Sequence, residues 1–377
     1  MNLFEYFENK KVLITGNTGF KGSWLTMWML RHKAIVYGIS DRIPTNPSMF
    51  EYLELEKKIN HRFIDIRNYI ELKKSILEIE PDYVFHLAAQ PIVSISYTDP
   101  LATLNSNIIG SANLMEALKG LNNECVVIMV TSDKCYENVE QVWGYREIDQ
   151  LGGKDIYSSS KGSAELIIHS YFHSFFKEKY TNVRICSARA GNVIGGGDFS
   201  KDRIVPDCMR AWKKGEKVTI RNPYSTRPWQ HVLEPLSGYI LLAAKLSQNS
   251  ELNGESFNFG PKTEQNETVL NLIDSLSKYW DFNNIKDAYD YVVRTDFIEA
   301  GLLRLNCDKA LTHLNWIPNL DYHQTIKLVS DWYVNFYSHN IEMKDIYSLT
   351  MSQIAEYEKI AGVERSNNAY LKNNIKK

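Results

Sequence analysis

The sequence predicts an α/β fold in which a doubly wound parallel sheet carries a smaller C-terminal domain. Three observations point there. Short apolar, β-branched runs such as Val12-Leu13-Ile14 and Val126-Val127-Ile128-Met129-Val130 read as strands buried on both faces, and they alternate with longer helical stretches. Gly16, Gly19 and Gly22 stand at three-residue intervals where the first of these runs turns into a helical stretch. From residue 191 the composition changes, with Trp212, Arg221, Pro223, Arg227, Pro228 and Trp229 interleaved among short strand signals. The chain has 377 residues, enough for a large core and a second, smaller unit.

The glycine turn organises the rest. A strand that turns sharply into a helix needs residues without Cβ where a dinucleotide pyrophosphate approaches, and the helix N-terminus offers that group N–H donors and a partial positive charge. The pattern is of Rossmann type, with Gly16, Thr18, Gly19, Phe20, Lys21 and Gly22 as candidate cofactor contacts. Residues 34–39 read as the second strand, and Asp41 lies 22 residues beyond Gly19, where an acid bonds the adenosine ribose. Arg42 beside it is able to accept a 2′-phosphate, so the prediction is a preference for NAD. A loop with a short helix covers 44–60, residues 62–66 form a third strand, and Asp65 at its tip is placed to bond adenine. A helix over 71–80 stops at Pro81, and a fourth strand over 83–89 runs into the small residues Ala88 and Ala89. His86 within that apolar strand reads as a core residue. A helix over 105–119 begins with Asn and Ser groups suited to capping.

Thr131-Ser132-Asp133-Lys134 stands at the carboxyl end of the fifth strand, where open parallel sheets bind their ligands. Tyr157 and Lys161 follow, four apart and so on one helix face, with the helical run 162–176 after them. An ammonium there lowers the phenol pKa and makes the phenolate an accessible base. A strand over 183–188, a glycine-rich loop over 189–198 containing Asn192, a strand over 217–220, a helix over 233–246 and a strand over 257–260 complete the pattern. The expected division is a dinucleotide-binding domain over 1–190, to which 231–260 return, a lid domain over 191–230 and 261–350, and a polar tail over 351–377.

Composition narrows the function. Hydrophobic content is 44%, charged content 23% and formal net charge −2, which gives nucleic acid or an anionic membrane no reason to bind. No apolar run approaches the ~20 residues of a membrane span. Five scattered cysteines, none in a Cys-x-x-Cys pair, argue for free thiols in a reducing cytoplasm and against a metal site.

Together these residues resemble an extended short-chain dehydrogenase/reductase of the nucleotide-sugar type, on its 4,6-dehydratase branch. The segments that carry the resemblance are TGNTGFKGSWL (15–25), HLAAQP (86–91), TSDKCYEN (131–138), WGYRE (143–147), RAGNVIGGGDF (189–199) and RPWQHVLEPLSGY (227–239). It implies NAD as a returning hydride carrier, CDP-D-glucose as substrate, and loss of water to a 4-keto-6-deoxy sugar. Tyr157 would take the 4-hydroxyl proton, Lys161 would hold the cofactor ribose, Ser132 would bond the 4-oxygen and Asp133 would protonate the departing 6-hydroxyl. Ile66, Leu87, Ala88, Ala89, Gln90, Asn107 and Thr131 would join the cofactor contacts. Gln90, Asn192, Arg203, Ile204, Arg227 and His231 would bind substrate, with Asn192, Arg203 and Arg227 on the diphosphate. The resemblance further implies a homodimer or homotetramer and a place in making the 3,6-dideoxyhexoses of lipopolysaccharide O-antigen. Ser132 stands where the family usually has Thr, Ile156 where it more often has Pro, and Lys134 where many related dehydratases have the Glu that removes the C5 proton. Lys134 therefore has two readings, a base when neutral or a stabiliser of the enolate when charged. A 4-epimerase would keep Tyr157 and Lys161 without needing Asp133-Lys134, and a non-catalytic NAD-binding protein would have lost one of the three.

Overall fold

Seven strands pair in parallel in the computed structural model: β1 (Lys11–Thr15), β2 (Ile35–Ser40), β3 (Asn60–Phe63), β4 (Tyr83–His86), β5 (Cys125–Val130), β6 (Val183–Ala190) and β7 (Ser256–Phe259). Their order across the sheet is β7-β6-β5-β4-β1-β2-β3. Strand order reverses between β1 and β4, where Thr15 lies beside His86, so the crevice outside their carboxyl ends is the switch point at which such sheets bind ligands. The described residues are 3–362, apart from 221, 263, 281, 283, 284, 293–301 and 339–341.

Side chains of alternate strand residues go to opposite faces, which is why the strands read as continuous apolar runs. Val12 and Ile14 join one core with Trp24, Met27, Phe85 and Leu236, under α1 (Phe20–Arg31) and a long later helix, Leu233–Gln248. Leu13 joins the other with Leu72, Ile76, Leu114 and Ile168, under α2 (Tyr69–Ile79), α3 (Gly110–Leu118) and α4 (Ile156–Tyr171). The remaining long helices are α5 (Ile204–Lys213), α6 (Leu233–Gln248), α7 (Tyr322–Tyr337) and α8 (Met343–Ala361).

Several expectations move. The third strand ends at Phe63, because the Asp65 carboxylate accepts the Arg67 N–H at 2.8 Å and starts a turn. The helix expected from Asn105 starts at Pro100, where the Asp99 side chain accepts the Ala102 N–H at 3.0 Å. Asp before Pro is the stronger start signal, and residues Asn105–Ile109 become a π-helical turn within the run. The helix carrying Tyr157 begins at Ile156, capped by Asp155, which accepts the Ser158 N–H at 2.9 Å. The expected polar tail from 351 is instead helical to Ala361, with Ile354, Tyr357 and Glu358 buried. Glu358 accepts from Trp28 Nε1 at 2.7 Å and Arg31 Nε at 3.0 Å, and meets His32 at 2.5 Å, so α8 is fastened to the end of α1. Arg221 and residues 363–377 lie outside the described residues.

Candidate active site

Gly16 takes φ +75°, and a Cβ there would stand 2.7 Å from the Ala88 nitrogen; at Gly22 it would stand 2.1 Å from the Gly16 oxygen. The cradle is therefore built for glycine. Gly19 caps α1 without any side-chain hydrogen bond, which leaves the first N–H groups of the helix for an anion. Thr18 fastens the turn to the end of β2, its N–H on Ser40 Oγ at 3.3 Å and its hydroxyl donating to the Arg42 carbonyl at 2.7 Å. Asp41 is exposed beside it, 3.8 Å from Arg42 Nε. Both Asp65 oxygens are engaged by Arg67, whose guanidinium holds that carboxyl below its ordinary range. Ile66 is buried against Gly110, and the backbone of Leu87 and Ala88 walls the glycine turn, with Ala89 next to them. These residues fit a dinucleotide: a glycine cradle, a free helix end and an acid at the ribose position.

Gln90 and Asn107 are joined to one another. The Gln90 N–H donates to Asn107 Oδ1 at 2.8 Å, and Asn107 Nδ2 donates to the Gln90 carbonyl and to Ser160 Oγ at 2.9 Å. The Gln90 amide bonds Thr103 at 2.8 Å and the Ile92 N–H at 2.6 Å. Both side chains hold the loop after β4 to the helical segments beside it.

Ser132, Asp133, Tyr157 and Lys161 come together as the spacing implied, all of them buried. Ser132 Oγ donates to Asp133 Oδ1 at 2.9 Å and accepts the Lys134 N–H at 3.2 Å. Tyr157 has Asp133 and Ser132 as polar neighbours. Asn192, at φ +52°, approaches Asp133 Oδ2 at 3.4 Å, and a Cβ at Gly191 would stand 1.9 Å from that oxygen. Lys134 makes no side-chain hydrogen bond or ion pair with the described residues.

Electrostatics revise one expectation. Burial pushes the Tyr157 phenol up to about 12, and the cation that pulls it down is Arg203 rather than Lys161. The Lys161 ammonium is 5.9 Å from the Tyr157 ring centroid, and burial pushes it down to about 8. Spacing puts the two residues on one face, but desolvation outweighs their mutual field.

Arg203 caps α5 just before Ile204 and donates to Asp198 at 2.8 Å. Lys21, expected only at the cofactor, has Arg203, Asp133 and Lys161 as charged neighbours, and burial pushes it down to about 8. Arg227 lies on a two-residue ladder opposite Glu267. His231 is fully buried edge-on to Trp24, its Nδ1 accepts the Leu233 N–H, and burial pushes it down to about 3. Among the described residues no group of three His, Cys, Asp or Glu is placed to hold a metal ion, and no helix is long and apolar enough to cross a membrane.

Sequence reasoning missed the support beneath the site. Glu165 accepts from Thr131 Oγ1, from Ser187 Oγ at 2.9 Å and from Arg189 Nη2 at 2.7 Å. Arg189 also donates to the Tyr136 hydroxyl at 2.7 Å, which donates to Asn258 at 2.8 Å. Burial pushes the Glu165 carboxyl up, but Arg189, Thr131 and Ser187 together hold it below its ordinary range. The available signal was Glu165 four residues after Lys161, on the same helix face.

A glycine cradle at the switch point of a parallel sheet, with a buried tyrosine, lysine, serine and aspartate at the carboxyl end of β5, defines an extended short-chain dehydrogenase/reductase. A family model described as GDP-mannose 4,6 dehydratase matches residues 13–329, and the chain belongs to that family. It is 42% identical over 357 residues to the CDP-glucose 4,6-dehydratase of Salmonella typhimurium, covering 93% of this chain and 97% of that protein. It is 25% identical to the CDP-paratose 2-epimerase of Salmonella typhi, covering 85% of this chain and 98% of that protein. Among solved structures, dTDP-glucose 4,6-dehydratase from Bacillus anthracis in complex with NAD shares the fold, with a TM-score of 0.71, 20% identity, and coverage of 86% and 96%. UDP-glucose 4-epimerase from Thermotoga maritima with UDP-glucose has a TM-score of 0.73, 22% identity, and coverage of 87% and 100%.

Proposed function

We propose that this protein is an NAD-dependent hydro-lyase that converts CDP-D-glucose to CDP-4-keto-6-deoxy-D-glucose. The observation that carries the reading is the aspartate: Asp133 lies buried beside Ser132 and Tyr157, where an epimerase has no work for an acid. The 42% identity to a CDP-glucose 4,6-dehydratase supports it. Bound NAD supplies the oxidation of C4 and the later reduction of C6. Gly16, Thr18, Gly19, Phe20, Gly22 and Asp41 hold its phosphates and adenosine ribose, and Lys161 its nicotinamide ribose. Tyr157 receives the proton of the sugar 4-hydroxyl. Lys134, with no side-chain partner among the described residues, faces C5 and takes its proton once the 4-ketone has acidified it. Asp133 protonates the departing 6-hydroxyl. Asn192, Arg203, Ile204 and Arg227 hold the diphosphate and sugar, in a substrate layer formed by residues 191–230 and 261–350. The product class suits a cytoplasmic step toward the dideoxyhexoses of lipopolysaccharide O-antigen.

CDP-glucose deuterated at C4 tests this directly. The expected product carries the deuterium at C6 and has lost one water, with no net consumption of NAD. Deuterium returned to C4 with inverted configuration identifies a 4-epimerase instead, and release of the label to solvent removes the reading.

The assembly is expected to be a homodimer or homotetramer. Leu101 is 69% exposed, Leu166 56%, Ile109 48% and Ile95 42%, all on helical segments from 93 to 171. Light scattering of Leu101→Glu combined with Leu166→Glu is expected to give a monomer from a larger wild-type species; a wild-type monomer refutes it.

A further inference from the structure

Tyr157, Lys161 and Glu165 stand four apart on successive turns of α4, so they share one helix face, and all three are buried. The first two serve the proposed reaction, and the third holds the helix to the sheet. Val130 pairs with Ala188, so Thr131 and Arg189 are neighbours one step further on, at the carboxyl ends of β5 and β6. With Ser187 they lie on the sheet face that carries Val127, Met129 and Ile185 under α4. There Thr131 Oγ1 donates to one Glu165 oxygen, while Ser187 Oγ at 2.9 Å and Arg189 Nη2 at 2.7 Å donate to the other. Arg189 also donates from Nη1 to the Tyr136 hydroxyl at 2.7 Å and to the Glu147 carbonyl at 3.1 Å, so the guanidinium is fixed on both of its arms. Two residues beyond Thr131 comes Asp133. Two beyond Arg189 comes Gly191, so close to the acid that a Cβ there would stand 1.9 Å from Asp133 Oδ2. One buried carboxylate thus holds the chain on both sides of Asp133.

We propose that Glu165 is a positioning residue: by holding Thr131 and Arg189 it sets where the Asp133 carboxyl stands against Tyr157 and Lys161, and so governs elimination more than oxidation. The inference rests on the dehydratase reading. In that reaction the group that receives the 4-hydroxyl proton and the group on the nicotinamide ribose both belong to α4. Oxidation at C4 therefore keeps most of its geometry when the strand tip shifts against the helix. The acid for the 6-hydroxyl and the base for C5 belong to the tip, as Asp133 and Lys134, and have to meet a sugar held by α4 and the cofactor. Apolar packing under α4 sets the depth of the helix but tolerates sliding. A hydrogen bond to an ionised carboxylate is short and directional, and it fixes the register of the tip along the helix. A misplacement of about 1 Å is enough to cost about 10²-fold in rate.

The test leaves Glu165 in place, since its loss strands Arg189, and changes its donors in the holoenzyme assayed with CDP-glucose. Thr131→Val keeps the shape of the side chain and the Glu165–Arg189 pair but removes the hydroxyl at the tip. Ser187→Ala removes a donor to the same carboxylate away from the tip, and Thr131→Ser keeps the hydroxyl. Thr131→Val is expected to lower kcat about 30-fold, with KM within about 3-fold and the NAD content unchanged. Enzyme-bound NADH builds up in its steady state, read from near-ultraviolet absorbance, because the oxidised sugar waits for elimination. Thr131→Ser and Ser187→Ala stay within about 3-fold of the wild-type kcat without that build-up, although the urea midpoints of Ser187→Ala and Thr131→Val fall alike. Equal losses of turnover in Thr131→Val and Ser187→Ala, a loss in Thr131→Val without bound NADH or with NAD released, or no loss at all, overturn the positioning role. Wild-type enzyme that forms no 4-keto-6-deoxy sugar from CDP-glucose overturns the dehydratase reading itself, before any variant is compared.

Discussion

Tyr157→Phe is expected to lower turnover by about 10²- to 10⁴-fold while the affinity for the nucleotide sugar changes by less than about threefold. The phenyl ring keeps the packing of a residue that is 8% exposed, so the change removes one oxygen and little else. In the proposed reaction that oxygen is the group that receives the proton of the sugar 4-hydroxyl. Ser132 keeps Asp133 as acceptor and the Lys134 N–H as donor, so the serine is not left unsatisfied in the variant. Steady-state kinetics and calorimetric titration with a substrate analogue separate the two effects. Turnover within tenfold of wild type would remove Tyr157 from the chemistry.

The second large effect is on stability. Glu165→Ala is expected to destabilise the fold by about 3–5 kcal/mol, because it strands the Arg189 guanidinium in the interior. The two side chains are 4% and 3% exposed and 2.7 Å apart. A loss of that size is a large part of the ~5–15 kcal/mol that holds a typical domain. The double variant Glu165→Leu with Arg189→Met removes both charges and is expected to recover most of it, since no ion is then left without a partner. Urea unfolding of the two variants decides the matter. A single variant within about 1 kcal/mol of wild type would mean that water reaches the pair. Thr131 loses its acceptor as well, so activity falls together with stability, Ser132 being the next residue.

The legible part of this molecule was local. The glycine turn, the strand tip 131–134 and the Tyr157–Lys161 spacing are properties of a few neighbouring residues, and the structure brings them together at the switch point of the sheet. What depends on distant segments was not legible. The pull of Lys161 on Tyr157 follows from spacing, but the depth of the pocket and the arrival of Arg203 at the start of α5 decide which cation acts. The edge-on contact of His231 with Trp24 of α1 joins segments too distant in sequence for any local pattern to announce it. The bonds of the Gln90 amide to Thr103 and Ile92 likewise depend on how the following helical segment folds back. The segment 351–361 reads as a tail because most of its residues are polar. It becomes a helix because Ile354, Tyr357 and Glu358 share one face and find α1.

That last contact has a temporal meaning. Glu358 and Trp28 are 330 residues apart, so the brace on the first helix comes from a segment the ribosome makes long after it. While the chain is still being synthesised, α1 has its glycines and its strand but not the carboxylate that receives Trp28, Arg31 and His32. A product cut short before Met343 keeps every residue assigned to catalysis, yet lacks this brace and leaves apolar surface of the first helix uncovered. Surface of that kind is what chaperones and proteases sample in unfinished chains. Helix α8 thus separates a chain that carries it from one cut short before it, ahead of any encounter with substrate.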